Sequence, residues 1–340
     1  VMIKKIFLII IAVILILASN YFFETYYPVN KNGQEVKFTI VKNSGVKQIS
    51  QSLVKAKLIR SDVFFNFYVW LKNKQADFKV GEYILKPSMN LKEIASELTN
   101  SKPLGKEKSI TIIEGWDIND IHNYFKKNNI FSDNNFSVLA KNKLSDWQFK
   151  TAKPDFLSQA PVSATLEGFL FPDTYRLFQD ATAEDAIIKM LNNFGNKLTV
   201  SMRQDVAKQG KSIFQIIIMA SLVEKEVKTP RDMRIVSGIF WSRIKNKQAI
   251  QSCATLAYIL GEKKQRYNIE DTKINSSYNT YQNLGLPPGP IANPGLNSIK
   301  AAIYPEYTDY NYFLSRSDTG ETVFSKNLEE HNKNKARYLK

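Results

Sequence analysis

The chain has 340 residues, 44% of them hydrophobic and 12% aromatic, which is enough material for a packed core in one or two domains. A formal net charge of +15 indicates a polyanionic neighbour, which is an acidic membrane surface, a nucleic acid or an acidic wall polymer. The single cysteine, Cys253, excludes an internal disulfide framework. With only two histidines and no metal-type cysteine spacing, we expect no metal site and no cofactor.

The N-terminus carries a long uncharged stretch. Residues 6–23 contain no charge, are rich in Ile and Leu, end in aromatic residues and follow Lys4 and Lys5. A stretch of this length is typical of a membrane span whose preceding lysines stay in the cytoplasm. We therefore predict a cytoplasmic tail (1–5), a transmembrane anchor (6–23) and a linker (24–35). The alternative, a cleaved signal peptide, lacks a clear small-x-small cleavage site.

Three segments between residue 36 and about residue 125 share one spacing of apolar residues. In each, two alternating apolar residues predict a strand, a turn follows, and apolar residues at i, i+3 and i+7 predict a short helix. The turns are Asn43-Ser44-Gly45, Pro87-Ser88 and Glu114-Gly115, and the apolar sets are Phe38, Ile40, Val46, Ile49 and Leu53; Tyr83, Leu85, Leu91, Ile94 and Leu98; and Ile110, Ile112, Ile118, Ile121 and Phe125.

The first of these helices reads V-x-x-I-x-x-x-L and resembles the helix of LysM-type carbohydrate-binding modules. We interpret residues 36–105 as a LysM-like α/β module, which either binds glycan or serves only as scaffold. Within it, residues 63–71 are rich in Phe, Tyr and Trp. That composition predicts a helix that packs against the module and not a recognition surface.

A run from Thr165 to Leu177 combines acidic and aromatic residues. Glu167 and Asp173 could bind the hydroxyl groups of a sugar, with Tyr175 covering a pyranose ring. Equally, the aromatic residues of the run could simply belong to the hydrophobic core.

The segment of residues 213–228 is the strongest helix signal in the chain. Nine apolar residues precede or surround one carboxylate, Glu224. At about 100° per residue, Ile217, Ala220, Ser221 and Glu224 share one helical face, which we expect to face inward. Desolvation there would raise the pKa of the carboxyl and allow it to act as a general acid near neutral pH. The alternative is that Glu224 marks the solvent edge of an ordinary core helix.

The region after this helix holds most of the polar residues able to complete a site. We predict helices over 183–198 and 230–244, a helix beginning at Gln251, a stiff Pro-rich loop over 285–295 and a hairpin about Asp318-Thr319-Gly320. Glu226, two residues after Glu224, is expected to face solvent or to meet Lys225 and Lys228 loosely.

Seven motifs in this order resemble the endolytic murein transglycosylase (MltG, YceG-like) family. They are E-G-F-L-F-P-D-T-Y, A-S-L-V-E-K-E, Q-S-C-A-T, Y-N-T-Y, G-L-P-P-G-P-I-A-N-P-G, A-A-I-Y-P and F-S-K-N-L-E-E-H-N, with a weaker E-G-W at residues 114–116. The resemblance implies an α+β, membrane-anchored protein whose LysM-like module is followed by a mixed α/β catalytic domain (106–340). It also implies that Glu224, the first Glu of V-E-K-E, is the catalytic residue. Cys253 stands where the family often carries Asp, and we assign it no chemical role.

The implied reaction is non-hydrolytic cleavage of the β-1,4 bond between N-acetylmuramic acid and N-acetylglucosamine inside a nascent peptidoglycan strand. It leaves a 1,6-anhydromuramic end, terminates the strand and requires one acid/base, whereas most glycoside hydrolases use two carboxyl groups. A second acid near Glu224 would restore the hydrolytic alternative, with Glu167 and Asp173 as the candidates. We expect Gln251, Tyr278, Asn279 and Tyr281 to hold the N-acetyl and hydroxyl groups of the substrate, as further candidate binding residues beside Glu167 and Asp173.

The expected partners are peptidoglycan strands, the cytoplasmic membrane through one N-terminal helix, and, as candidates, penicillin-binding proteins of the wall-synthesis machinery. With the N-terminus in the cytoplasm, the catalytic domain would lie on the periplasmic or extracellular side of the inner membrane, where nucleic acid is no partner. Two other functions compatible with the sequence are a wall-binding scaffold without activity and a hydrolytic muramidase. A polyanion-binding membrane protein is a more distant alternative.

Overall fold

The structure is a computed structural model that describes residues 2–41, 44–101, 103, 107–131, 134–179, 181–262, 264 and 267–339, with the backbone alone for residues 2–10. The side chains of Lys4 and Lys5, which set the predicted orientation, and the predicted turn residue Asn43 lie outside what it describes. The contacts divide the chain into two compact units. One comprises residues 1–108 and 178–180, and the other comprises residues 109–177 and 181–340.

The first unit starts with a long helix and continues with alternating strands and helices. Its elements are α1 (Met2–Tyr26), β1 (Val36–Ile40), α2 (Val46–Lys55), α3 (Asp62–Leu71), β2 (Gly81–Leu85) and α4 (Leu91–Asn100). Strands β1 and β2 pair antiparallel, with Phe38 opposite Tyr83. Because side chains alternate along a strand, Phe38, Ile40, Tyr83 and Leu85 all point to one face, where they are buried with residues of α2, α3 and α4.

From residue 107 onward the chain is mainly helical, with two further pairs of short strands. The elements are β3 (Glu107–Thr111), α5 (Ile118–Lys127), α6 (Asn135–Lys141), β4 (Thr174–Phe178), α7 (Ala183–Lys197), α8 (Val200–Lys208), α9 (Ile213–Glu226), α10 (Pro230–Lys245), α11 (Cys253–Leu260), α12 (Leu296–Ile303), β5 (Tyr312–Ser315), β6 (Thr322–Ser325) and α13 (Leu328–Tyr338). Strand β3 pairs with β4, and β5 pairs with β6 in an antiparallel hairpin.

Helix α9 is the central element of the second unit. The Ser212 hydroxyl accepts the Gln215 N–H at 3.1 Å, and the Gln215 side chain accepts the Ser212 N–H at 2.9 Å, a capping box that fixes the start of the helix. Helices α8, α10, α11 and α12 pack around it. Phe214 and residues 216–223 are therefore buried, which explains why the segment is apolar on nearly every side.

Most of the elements expected from the sequence are present. The strands and helices of all three strand–turn–helix units form at the predicted positions, as do the helices α7 and α10 and the hairpin β5–β6. Helix α9 ends two residues before the predicted Lys228, because Val227 adopts an extended conformation (φ −142°, ψ 161°). Helix α11 starts at Cys253 and not at Gln251, since Ser252 is its N-cap.

Helices α6, α8, α12 and α13 are absent from the sequence prediction. Helix α12 was not predicted, because its eight residues follow directly on the Pro-rich loop and give too short an apolar pattern.

By length and apolar composition, no single helix of the described residues qualifies as a membrane span. Ile11–Tyr26 is a shorter apolar stretch, and α8 with α9 qualify only together, as a bent pair.

Candidate functional site

Glu224 lies in the last turn of α9, at the end of the predicted inward face. Its side chain is half-buried, whereas Ala220 and Ser221, one turn earlier, are fully buried. One carboxylate oxygen, Oε2, accepts a hydrogen bond from the backbone N–H of Gly295 at 2.9 Å. Gly295 is the N-cap residue of α12, so the carboxyl group of Glu224 faces the start of that helix. The side chain of Glu224 as a whole keeps some exposure to solvent.

The Pro-rich loop is fastened along the face of α9 that leads to Glu224. The hydroxyl of Ser221 donates to the Ile218 carbonyl and accepts the N–H of Ile291 at 3.1 Å. A Cβ atom on Gly168 would lie 2.6 Å from Pro290, and φ is +87° there, so only glycine suits this close approach. The loop is therefore held rigidly against the helix, as its proline content predicts.

A second carboxylate lies close to Glu224. Glu114 belongs to the turn between β3 and α5, and a Cβ atom on Gly295 would lie 1.9 Å from its Oε1 atom. On the other side of the turn, a Cβ atom on Gly115 would lie 3.4 Å from Cγ of Glu224. The Lys225 ammonium donates to the Gly115 carbonyl at 2.9 Å and ties the turn to α9. Glu114 and Glu224 thus both contact Gly295. The sequence contains the E-G-W motif, but its spacing gives no sign that Glu114 returns to α9.

Asn293 holds the Glu114 turn and the Pro-rich loop together. Its backbone accepts the Gly115 N–H at 2.9 Å and donates to the Trp116 carbonyl at 2.8 Å. Its side chain accepts the Leu170 N–H at 2.9 Å and donates to the Trp116 carbonyl and to Glu167 Oε1, both at 3.0 Å. Asn293 is fully buried, so these contacts replace the water that its amide would otherwise bind.

Glu167 is part of this buried network and not of an open cleft. Its side chain is only 6% exposed, and Oε2 accepts the Ile118 N–H at 3.1 Å while Oε1 accepts the amide of Asn293. Burial raises the pKa of Glu167 to about 8, although the backbone N–H groups of Ile118 and Gly168 act in the opposite direction. Since both oxygens are enclosed, the predicted sugar contact would require the surrounding loops to rearrange.

The pKa of Glu224 is also raised. Burial is the main cause, and the negative charge of Glu114 adds to it, whereas the Ser298 hydroxyl, the Gly295 N–H and the positive charge of Lys225 lower the pKa. The raised pKa expected from the position of Glu224 on the helix is therefore found. Glu114 contributes to it from a part of the chain that the sequence pattern did not connect with α9.

Asp173 lies at the start of β4 and is committed to other partners. It accepts the side-chain amide of Asn193 at 3.0 Å and forms an ion pair with Lys197 at 3.5 Å. The hydrogen bond from Asn193 is the main cause of its lowered pKa. These contacts join β4 to α7, and Tyr175, buried, donates to the Phe171 carbonyl within the same region.

The predicted binding residues after α10 surround the start of α11. Gln251 is exposed and adopts a positive φ of 56°, and its N–H donates to the Thr280 carbonyl at 3.0 Å. The Tyr281 hydroxyl lies 3.1 Å from Sγ of Cys253. Glu226 is half-buried and accepts the Ser252 hydroxyl, so the expectation that it faces solvent was wrong.

Asn279 and Tyr278 occupy different environments within one loop. Asn279 is fully buried: its amide donates to the carbonyls of Thr272 and Ile274, and its Oδ1 atom accepts the Tyr281 N–H at 3.0 Å. It therefore positions the loop. Tyr278 is half-buried, and its ring centroid lies 5.1 Å from that of Tyr258. Among the residues that the structure describes, no cluster of three or more His, Cys, Asp and Glu side chains could hold a metal ion.

Several known proteins resemble this chain in sequence and in fold. A family model described as the YceG-like family matches residues 38–337. An endolytic murein transglycosylase of Bacillus subtilis is 34% identical over 92% of this chain and 87% of its own length. A second, of Streptococcus pneumoniae, is 29% identical over 94% of this chain, which spans 61% of the length of that relative. A crystal structure of a YceG-like protein from Listeria monocytogenes, 32% identical, superposes with a TM-score of 0.59 and covers 89% of this chain and 99% of that one.

Proposed function

The chain belongs to the YceG-like family, and from this we propose that it is a peptidoglycan lytic transglycosylase that cuts within glycan strands. The bond cleaved is the β-1,4 bond between N-acetylmuramic acid and N-acetylglucosamine, and the product ends in 1,6-anhydro-N-acetylmuramic acid. The observation that carries the proposal is the position of Glu224 at the end of α9, where the side chain is partly exposed and burial raises the pKa of its carboxyl group.

The geometry supports a mechanism with Glu224 as the one group that moves a proton. The protonated carboxyl donates to the glycosidic oxygen as the bond to muramyl C1 breaks. The resulting carboxylate then takes the proton of the muramyl C6 hydroxyl while that oxygen bonds to C1, so Glu224 ends in its starting protonation state. A raised pKa keeps the proton on the acid near neutral pH before the reaction.

Glu114 is a positioning residue in this proposal. Its carboxylate lies against Gly295, beside the N–H that Glu224 uses, and its negative charge favours the protonated form of Glu224. It thereby replaces Glu167 and Asp173 as the acid that could support the hydrolytic alternative, because a second carboxylate near the general acid is the arrangement that glycoside hydrolases use.

Substrate contacts are proposed for residues that keep exposed polar groups near α11. Gln251 is exposed, and Tyr278 and Tyr281 are half-buried, so these three can meet the N-acetyl and hydroxyl groups of the glycan. Asn279 supports them by holding the N–H of Tyr281. Glu167 supports the Glu114 turn through Asn293.

The N-terminal helix completes the proposal. We assign α1 as a single-pass anchor in the inner membrane, with the N-terminus in the cytoplasm and the site on the opposite side. Its described side chains from Ile11 to Leu17 are exposed and apolar, which suits a lipid environment. The module of residues 36–105 is a proposed glycan-binding region, and penicillin-binding proteins remain proposed partners.

The test is digestion of isolated peptidoglycan by the full chain in detergent, followed by mass spectrometry of the released termini. The proposal expects anhydromuramic ends that are one water lighter than reducing ends, and their loss in Glu224→Gln. A matched control is Glu226→Gln, two residues along the same helix, which leaves the acceptor for Ser252 in place. Reducing ends would establish the hydrolytic muramidase, and unchanged strands with every version would establish the scaffold.

A further inference from the structure

Helix α3 has one buried face and one apolar face that stays largely exposed. Phe65, Tyr68 and Val69 are buried in the core of the first unit. On the other side, Val63, Phe67, Trp70 and Leu71 are 68%, 46%, 60% and 51% exposed. These four residues are at i, i+4, i+7 and i+8, so they form one continuous stripe, which we call the α3 apolar face. The sequence predicted only the packing face.

The α3 apolar face lies beside the N-terminal helix. The ring of Tyr21 on α1 makes an edge-on contact with Phe67, with centroids 5.5 Å apart, and lies 6.3 Å from the ring of Phe64. The ring of Trp70 stacks on that of Phe67 at 5.9 Å. Tyr21 is near the C-terminal end of the proposed span, residues 6–23. The α3 apolar face therefore lies beside the C-terminal end of the proposed span.

Two basic side chains lie over aromatic rings at the C-terminal end of α1. The guanidinium of Arg60 lies 5.1 Å from the Phe23 ring centroid and donates to the carbonyls of Tyr27 and Pro28. The Lys92 ammonium lies 5.9 Å from the ring centroid of Tyr26. Aromatic rings with basic residues beside them are typical of the headgroup region of a bilayer. By contrast, the only charged residue of α3 itself is Asp62, in its first turn.

We propose that the α3 apolar face inserts into the interfacial layer of the same bilayer that α1 crosses, with Arg60 and Lys92 among the headgroups. The lipid surface fits better than a protein partner because the face continues the exposed apolar surface of α1, formed by residues such as Leu15 and Leu17. The net charge of +15 favours anionic lipids. This inference rests on the proposed anchor, and it adds that the first unit lies on the membrane and does not swing freely from a tether.

Site-directed spin labelling of the full chain in nanodiscs of phosphatidylethanolamine and phosphatidylglycerol tests the proposal. In a Cys253→Ser background, which removes the only native thiol, single cysteines replace Trp70, Leu15 or Ile84 in turn. Ile84 is 45% exposed on β2, opposite Lys37 of β1 and on the side of the sheet away from the buried core. The measurement compares collision of each label with oxygen, which concentrates in lipid, and with a water-soluble nickel complex.

The expected result is that labels at Trp70→Cys and Leu15→Cys collide mainly with oxygen, and the label at Ile84→Cys mainly with nickel. A label at Val63→Cys repeats the test if Trp70→Cys folds poorly. If Leu15→Cys is in lipid while both α3 labels are in water, the anchor stands and the docking proposal fails. If Leu15→Cys is also in water, the anchor itself fails. Spin–spin coupling between α3 labels that are shielded from both reagents would identify a second copy as the occupant and overturn the proposal.

Discussion

Glu224 and Glu167 are two carboxyl groups of the second unit that differ in how far they are enclosed. Glu167 is 6% exposed and has a donor on each oxygen. Glu224 is half-buried, with the Gly295 N–H on one oxygen. Burial raises both pKa values. A raised pKa therefore does not by itself identify a general acid, because the group must also remain accessible.

The largest effect is expected for the substitution of Glu224. Glu224→Gln should reduce the rate of formation of anhydromuramic ends by about 10²- to 10⁴-fold, because an amide cannot donate and recover the proton. The amide oxygen can still accept the Gly295 N–H, so the melting temperature should change little. Quantifying anhydromuramic ends beside a thermal melt measures both quantities. Retention of most of the activity would remove Glu224 from its proposed role.

We expect the buried carboxyl group of Glu167 to affect the free energy of unfolding and not the rate of the reaction. The folded chain keeps the proton of Glu167 up to about pH 8, whereas the unfolded chain releases it near 4.5. The folded state thus binds more protons in this window, and the contribution of Glu167 to the free energy of unfolding falls as pH rises from about 4.5 to about 8, with a slope of up to about 1.4 kcal/mol per pH unit.

Glu167→Gln should abolish that part of the slope. Near pH 4.5, where the wild type has its full contribution from Glu167, the substitution should cost about 1–3 kcal/mol, because the new amide group meets one of the two N–H donors. This cost should shrink as pH rises, because only the wild type loses stability. Urea titrations of both proteins between pH 4.5 and 8.5 give the comparison, with Glu226→Gln as the control for loss of a carboxyl group. Identical slopes in the wild type and Glu167→Gln would contradict the assignment.

A smaller effect is expected for the substitution of Glu114, whose negative charge raises the pKa of Glu224. Activity that needs protonated Glu224 is lost as pH rises through its pKa. Removing the negative charge of Glu114 lowers that pKa, so Glu114→Gln should move the alkaline limb of the pH–rate profile to lower pH.

Gly295→Ala offers an independent version of this experiment. Its Cβ atom would displace the Glu114 carboxyl, while φ of −75° is acceptable for alanine. Both variants should therefore shift the limb in the same direction. A uniform loss of rate without a shift would mean that Glu114 has only a structural role.

The smallest effect is expected at Asp173. Its ion pair with Lys197 is about 40% exposed on both sides, so Asp173→Asn should change the free energy of unfolding by less than about 1 kcal/mol and leave the pH–rate profile in place. Urea titration and the assay of termini measure these quantities. A large loss of activity in a stable Asp173→Asn protein would mean that Asp173 contacts the substrate.

Local patterns in the sequence predicted the elements of the fold well. Alternation and helical spacing located the three strand–turn–helix units, α7, α9 and α10, because each buries one face over several turns or strand residues. Glu224 could be singled out for the same reason, as the charge that ends an apolar helical face. Short elements such as α12 gave no comparable signal.

Contacts between distant segments could not be predicted in this way. Glu114 and Glu224 are brought together by Asn293 and by two glycines, and no periodicity connects them. Glu167 and Asn279 carried the composition of a binding site, yet their polar atoms serve buried loops, since an amide or carboxyl side chain suits either task equally. Whether such a residue binds substrate or stabilises a loop therefore depends on its partners in the folded chain.

The hydrogen bond from Gly295 to Glu224 has a consequence for the moment of proton transfer. Gly295 begins α12, and the aligned peptide groups of a helix place partial positive charge at its start. Burial opposes an anion at Glu224 before the sugar reacts, but once the proton has left, the new negative charge faces this fixed electric field. In the proposed mechanism, this fixed field partly offsets the cost of burial and lowers the free energy of the carboxylate while Glu224 is without its proton.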